Sequence, residues 1–260
     1  MEIVKTTIDK IIEYRTNYLN SLPEFQELFI ELMINDSDYY ILITDNKEIG
    51  YTITNNERVL IEFHVFEKYL PDSHDFFKQV LEDLSITDIY CKSFDSLLLS
   101  NCLLSSLPYS VIGVLYREYV ESLVSLDLAI KMKKADFTSV GLLLRQDDSI
   151  KELFETEQQL IGFIQNENVF EFYKNDEFIG CGMIIRTNSN WNFCDLGVWV
   201  KPSKRGNSFG SQIIMNLREF AISENMIPSC GCAIDNIASQ KIIEKSGFVS
   251  KYKMINFKTK

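Results

Sequence analysis

The stretch Asp195-Leu-Gly-Val-Trp-Val-Lys-Pro-Ser-Lys-Arg-Gly-Asn-Ser-Phe-Gly-Ser-Gln-Ile-Ile214 decides how this chain is read. A strand-like run ends at Val200. Pro202-Ser203 makes a turn, and a helix begins within residues 207–211. Helix N-termini carry unpaired N–H groups and a partial positive charge. Gly206, Ser208, Gly210 and Ser211 are small enough to let an anion approach the backbone there, and Arg205 adds a formal charge. The loop therefore suits a pyrophosphate. An ordinary strand-to-helix connection with a good N-cap fits the same residues. No Gly-Lys-Ser/Thr closes the loop and the G-x-G-x-x-G order is absent, so it is neither a P-loop nor a dinucleotide fingerprint.

Outward from this stretch, the second half forms an ordered series. Residues 148–165 place Ile150, Leu153, Phe154, Leu160, Ile161 and Ile164 at helical spacing. Residues 169–173 and 177–185 predict a hairpin around Asn175-Asp176, and 191–200 a third strand. Helix 211–223, strand 230–234, helix 236–245 stopped by Gly247, and strand 249–257 follow. The first half repeats the order. Strands 39–44 and 48–54 flank Asp45-Asn46-Lys47. Then come strand 58–66, helix 73–84, strand 87–92, helix 94–107 and strand 109–118. Asn46-Lys47-Glu48-Ile49-Gly50 resembles Asp176-Glu177-Phe178-Ile179-Gly180, with Ile-Gly recurring half a chain apart. A repeat this long predicts a duplicated domain, with units at 1–122 and 123–260.

Composition narrows the function classes. The chain has 260 residues, 46% of them hydrophobic, which is enough to bury a core without disulfides or metal. Lys and Arg number 26 against 37 Asp and Glu, for a net charge of -11. That balance repels phosphate backbones and suits a cationic or amine substrate, so no nucleic-acid partner is expected. Cysteines stand at 91, 102, 181, 194, 230 and 232, with no C-x-x-C, and the histidines are His64 and His74. Neither a zinc site nor a histidine-activated nucleophile is expected. The cysteines fit the core of a protein in a reducing, cytoplasmic compartment. Met1-Glu-Ile-Val-Lys has no secretory character. Residues 96–116 are almost uncharged and long enough to span a bilayer, but Ser100, Asn101, Ser105, Ser106 and Pro108 interrupt them. Leucines on one helical face and polar residues on the other predict an amphipathic helix, a Pro break and a strand, with no membrane span.

Two motifs together resemble a known family. Val200-x-Pro202-x-x-Arg205-Gly206-x-Ser208-x-Gly210-Ser211 is similar to the acetyl-CoA loop of the GNAT N-acetyltransferases, whose pattern is Gln/Arg-x-x-Gly-x-Gly/Ala. Ser208 stands where that pattern has its first Gly. Downstream, Asn236-Ile-Ala-Ser239 and Glu244-Lys-Ser-Gly-Phe248 resemble the family's Asn-x-x-(Ala/Ser)…Gly-Phe segment. The likeness covers residues 124–260. The first half shares only the element order. Its loop, Glu67-Lys-Tyr-Leu-Pro-Asp-Ser-His-Asp75, has no glycine, so it resembles a degenerate copy. The implied fold is α+β: two tandem units, each a mixed, mainly antiparallel sheet flanked by helices. Tandem members with one active domain are known in this family, and some acetylate amine-bearing antibiotics.

The resemblance implies an acyltransferase that moves an acetyl group from acetyl-CoA to a primary amine of a small molecule or peptide by direct attack, with no metal. The alternative is an inactive, CoA-binding or regulatory GNAT-like protein. The cofactor residues implied are Val198, Trp199, Val200, Arg205, Gly206, Asn207, Ser208, Phe209, Gly210, Ser211, Asn236 and Ser239. Backbone near Val198 to Val200 would pair with the pantetheine amides. Asp195 is the catalytic candidate, as the carboxylate nearest the splayed strand. Many family members have a Tyr four residues before the Gly of Gly-Phe; here that position is Ile243, and Tyr252 is a substitute to consider. Trp191 and Trp199 are candidates for the acceptor pocket, Glu171 is a more remote carboxylate, and Cys194 is expected in the core.

Overall fold

The structure, a computed structural model, describes residues 1–145, 148–154, 156–188 and 190–259, leaving aside the side chains of Asp148 and Glu152. Its contacts divide the chain into two compact units. One holds Met1–Leu115, Ala233–Asp235 and the residues from Tyr252 onward; the other holds Tyr116–Cys232 and Asn236–Lys251.

The first unit runs β1 (Glu2–Thr6), α1 (Ile8–Ser21), α2 (Leu28–Ile34), β2 (Asp38–Thr44), β3 (Lys47–Thr54), β4 (Val59–Val65), α3 (Ser73–Asp83), β5 (Asp88–Lys92), α4 (Ser96–Leu104) and the start of β6 (Tyr109–Tyr119). Strands β1 to β4 pair antiparallel in chain order, and β5 joins β4 in parallel. Residues 254–258 lie antiparallel along the other side of β5. Leu42, Phe63, Phe77, Ile89, Leu98 and Phe257 are among the residues of its apolar core.

The second unit repeats the plan with β7 (Ile130–Lys134), α5 (Phe137–Leu144), α6 (Glu157–Gln165), β8 (Val169–Lys174), β9 (Glu177–Arg186), β10 (Phe193–Val200), α7 (Phe209–Ser223), β11 (Ile227–Ala233), α8 (Ile237–Lys245) and the start of β12 (Phe248–Lys258). Strands β7 to β10 are antiparallel neighbours, and β11 joins β10 in parallel. The mixed, mainly antiparallel α+β arrangement expected from the sequence is thus present in both units.

The recurring Ile-Gly has a physical cause. Both hairpins turn on two left-handed residues, Asp45-Asn46 and Asn175-Asp176, the geometry of a tight two-residue loop. Just beyond each turn the register slips. Leu42 faces Gly50 while Ile43 faces Glu48, and Phe172 faces Gly180 while Tyr173 faces Phe178. Ile49 and Ile179 are the extra residues of equivalent bulges, and their carbonyls accept from Phe66 N and Lys201 N. The following glycine meets backbone of the next strand. A Cβ on Gly50 would lie 2.0 Å from His64 O, and one on Gly180 2.4 Å from Trp199 O.

Other expectations are revised. The helix expected at 148–165 is a 3-10 turn, Asp148–Glu152, followed by α6; part of that span, Glu155, lies outside the described residues. The amphipathic reading of 96–107 fails in detail. Asp95 caps α4 by accepting from Leu98 N, and the helix turns Asn101 inward, where its Oδ1 lies 3.3 Å from His74 Nδ1. Leu103 and Leu104 face outward. Among the described residues no helix is long and apolar enough to cross a membrane.

In the first unit β4 and β5 pair only at Val59–Asp88 and Leu60–Ile89 and then part. Buried polar side chains gather between the parted strands and α1 and α2. Glu62 of β4 receives Arg15 Nε (3.1 Å), Gln26 Nε2 (2.9 Å) and Tyr51 OH (2.8 Å). Arg15 also binds Glu31. Lys92 at the end of β5 donates to Gln26 (2.5 Å) and Tyr18 (2.9 Å), and Tyr18 donates to Asp95 (2.5 Å).

This cluster sets an acid sensitivity. Burial pushes the Glu62 carboxyl up, but Arg15 and Lys92 outweigh it and hold the group below the usual carboxylate range. Burial pushes His64 down against the opposing pull of Asp95 and Glu62. Both groups hold fewer protons folded than unfolded in mild acid, so stability rises with pH there and is lost as pH falls. Thermal unfolding from pH 7.5 to 4 should show Tm falling first below about 6.5, the ordinary histidine value, and again below about 4.3. His64→Phe keeps a ring among Tyr18, Tyr51 and Phe66 and should remove the first fall. An unchanged profile in that variant would contradict the assignment.

Candidate active site

In the second unit β10 and β11 pair at Phe193–Ile227, Cys194–Pro228 and Asp195–Ser229, then separate, while β10 stays paired with β9 to Val200. The edge of β10 that faces β11 is therefore open from Leu196 onward. Below its end lies a pocket of about 500 Å³ lined by Val198 to Val200, by the loop and first turn of α7, and by α8.

The loop geometry explains the residues found there. Pro202–Lys204 forms one 3-10 turn. Gly206 (φ 81°) and Ser208 (φ 59°) are then left-handed. Alternation of handedness turns successive N–H groups toward one side, the arrangement of an anion nest. Ser208 replaces the glycine this conformation favours, at an ordinary cost of about 1–2 kcal/mol. None of the backbone N–H groups from Gly206 to Ser211 has a protein partner among the described residues. The Ser208 side chain makes no capping bond. A helix start left this open is a ready anion site. Gly210 sets its second wall, since a Cβ there would lie 2.7 Å from Ile242 Cδ1 of α8.

The structure brings the sequence-derived cofactor residues together, with one exception. Val198, Trp199, Val200, Arg205, Gly206, Ser208, Phe209, Gly210, Ser211, Asn236 and Ser239 all line the pocket. Asn207 does not; its amide clamps the loop through Lys204 O and Arg205 O. Arg205 holds Val200 O (3.0 Å) and Ser149 Oγ (2.9 Å), so its guanidinium braces the loop. Asn236 caps α8 by accepting from Ser239 N. Its side-chain amide nitrogen is left to face a ligand. Ala238, Lys241, Ile242 and Lys245 also line the pocket and had not been singled out. The i, i+3, i+4, i+7 spacing from Ala238 puts these four on one face of α8, and that is the signal that could have found them.

The chemical candidates separate. Asp195 sits at the last paired position of the fork, with Ile185 opposite on β9. Cys194 beside it is buried; burial and then Asp195 push its thiol up to about 12, which makes it a core residue and no nucleophile. Trp199 is buried, donates to Ser149 Oγ (2.9 Å) and stacks on Phe178. Glu171 is buried on β8, where it accepts from Tyr173 OH (3.0 Å). Burial and Glu171 push that phenol up to about 12. Ile243 is buried. Tyr252 packs edge-on against Phe94 in the first unit. Among the described residues no three His, Cys, Asp or Glu side chains converge as a metal site.

Comparison with known proteins fits these observations. Two family models, each described as an Acetyltransferase (GNAT) domain, match residues 7–119 and 132–249. The chain belongs to the GNAT acetyltransferases and carries two tandem GNAT domains. That family uses acetyl-CoA. No curated protein matches the chain. Among solved structures it is similar to a GNAT-family acetyltransferase from Colwellia psychrerythraea, with 16% identity and a TM-score of 0.88 over 100% of both chains. It is also similar to a tandem GNAT protein from the clavulanic acid biosynthesis pathway, with 10% identity and a TM-score of 0.63 over 98% of this chain and 97% of that one. A GCN5-related N-acetyltransferase from Sphaerobacter thermophilus shows 10% identity and a TM-score of 0.54 over 85% and 80%. At these identities the likeness is one of fold.

Proposed function

We propose that residues 123–260 form an acetyl-CoA-dependent N-acetyltransferase acting on a primary amine of a small molecule or peptide, and that residues 1–122 are a degenerate copy without cofactor. The observation that carries this reading is the run of unpartnered N–H donors from Gly206 to Ser211, at the end of a strand with an open edge. The pyrophosphate takes the donors, and the pantetheine amides add to β10 as a further strand. The thioester then lies toward the fork, near Asp195. From Val198 back to Asp195 is about 10 Å along a strand, a distance a pantetheine arm spans. The amine attacks the thioester carbonyl as its neutral form. Asp195 takes its proton, directly or through a water. Backbone N–H groups of the open strand stabilise the oxyanion; its collapse breaks the C–S bond, and the CoA thiolate leaves and takes up the proton held by Asp195 or one from solvent.

The first unit supports the division. No residue from 66 to 73 has positive φ, Pro71 lacks an N–H, and Glu67, Asp72 and Asp75 crowd the helix start with negative charge. Beyond its fork, Glu62 of β4 and Lys92 of β5 are tied together through Gln26. A second reading, CoA binding without turnover, is favoured by Ile243, a buried aliphatic at the position where many members carry a tyrosine. The test is acetyl transfer from acetyl-CoA to a panel of primary amines. Turnover with kcat about 10²–10⁴-fold lower in Asp195→Asn supports the first reading. Tight acetyl-CoA binding with no turnover across the panel supports the second.

A further inference from the structure

Lys241 and Lys245 are one helical turn apart on α8, exposed, and line the pocket opposite the loop. Neither ammonium has a hydrogen bond or ion pair among the described residues. Several other lysines of this unit are neutralised, Lys131 by Asp176, Lys174 by Asp127, Lys204 by Glu177 and Lys251 by Glu118, while Lys201, without an ion pair among the described residues, lies outside the pocket lining. Glu244, between the two on the helix, accepts from Tyr116 OH instead (3.1 Å). Arg205, the other cation of the pocket, is spent on Val200 O and Ser149. Lys245 lies in the last turn, where any cation complements the helix dipole; Lys241 lies outside that turn. Two free cations at one pocket mouth are conspicuous in a chain of net charge -11.

Resting on the acetyl-CoA reading above, we propose that Lys241 and Lys245 bind the 3′-phosphate of the CoA ribose and make the protein discriminate CoA from dephospho-CoA. The charge inventory assigns them. The N–H donors of the loop serve the pyrophosphate. That leaves a phosphate monoester of charge near -2, at a solvated rim. Flexible ammonium groups are point-charge partners suited to such a rim. The packing of Gly210 on Ile242 holds α8 beside the loop, which puts both lysines on one pocket with those donors.

Calorimetric titration of the full chain with CoA and with dephospho-CoA tests this at low salt. CoA should bind at least tenfold tighter, and the gap should shrink as salt screens the rim. Lys241→Gln with Lys245→Gln should lose about tenfold in CoA affinity, one charge-assisted contact or more, and leave dephospho-CoA within twofold. Lys241→Gln alone should lose part of the gap with Tm unchanged. Lys47→Gln, an exposed lysine in the first unit, should change neither affinity. Equal binding of the two ligands by the wild type overturns the proposal. So does equal weakening of both in the double variant, which would move the lysines to the pyrophosphate. If neither ligand binds at millimolar concentration, the acetyl-CoA reading itself falls.

Discussion

Arg15→Met should destabilise the first unit by about 3–5 kcal/mol, because it strips the cation from two buried carboxylates at once. Glu62 has no exposure and Glu31 very little, and Arg15 touches both. Burial opposes the Arg15 charge, yet Glu62 and then Glu31 hold the guanidinium protonated more firmly than an ordinary arginine. Removing it leaves Glu62 with Gln26, Tyr51 and the more distant Lys92. Glu62, fully buried, must then take up a proton, so the loss should be larger at pH 8 than at pH 5. Chemical denaturation at the two pH values reads both losses. A loss under 1 kcal/mol at pH 8 would mean the cluster is relaxed or hydrated.

The second large effect concerns the duplicated bulge. Gly180→Ala drives a methyl group into Trp199 O, with Val200 Cα and Ile213 Cδ1 each 3.1 Å away. Backbone cannot step aside as a flexible side chain can, so β9 and β10 must separate. A cost of roughly 3 kcal/mol is expected, at the upper end of overpacking effects. Gly50→Ala meets backbone still closer and should cost at least as much in the first unit. Gly162→Ala is the control, because nothing lies within 4 Å of its added Cβ. It should be neutral or stabilising in its helix. Gly180→Ala should also weaken cofactor binding, because β10 carries Val198 to Val200 of the pocket.

These two cases mark what was legible beforehand. The bulge glycines were visible as a recurring Ile-Gly because the same backbone approach demands the same residue in both units. The loop 206–211 was legible only as a helix start built of small residues, which fits an ordinary N-cap as well as an anion site; that Ser208 makes no capping bond is a fact of the structure. The buried cluster was not legible. Arg15, Gln26, Glu62 and Lys92 are far apart in sequence, and charged residues are ordinarily assigned to the surface. That assignment also hid α1, whose buried side includes Arg15 and Tyr18 beside Ile11 and Leu19. Strand β7, Ile-Lys-Met-Lys-Lys, was hidden by its lysines, which suit an edge strand. The α8 wall of the pocket depended on which face Gly210 packs against, a tertiary fact. Membership of the residues from Tyr252 onward in the first unit is likewise set by pairing with β5, which no local pattern encodes.

The central claim is that the open N–H groups of Gly206 to Ser211 receive acetyl-CoA, and that the other unit has no such site. Calorimetric titration of the full chain with acetyl-CoA, beside Gly210→Trp, tests it most directly. One site per chain is expected, lost in the variant, whose indole must displace Ile242 from the pocket wall. Ligand at about 100 times its Kd should also add about 2.7 kcal/mol to the stability of the wild type. No binding at millimolar acetyl-CoA, two sites per chain, or undiminished binding by Gly210→Trp would contradict the account.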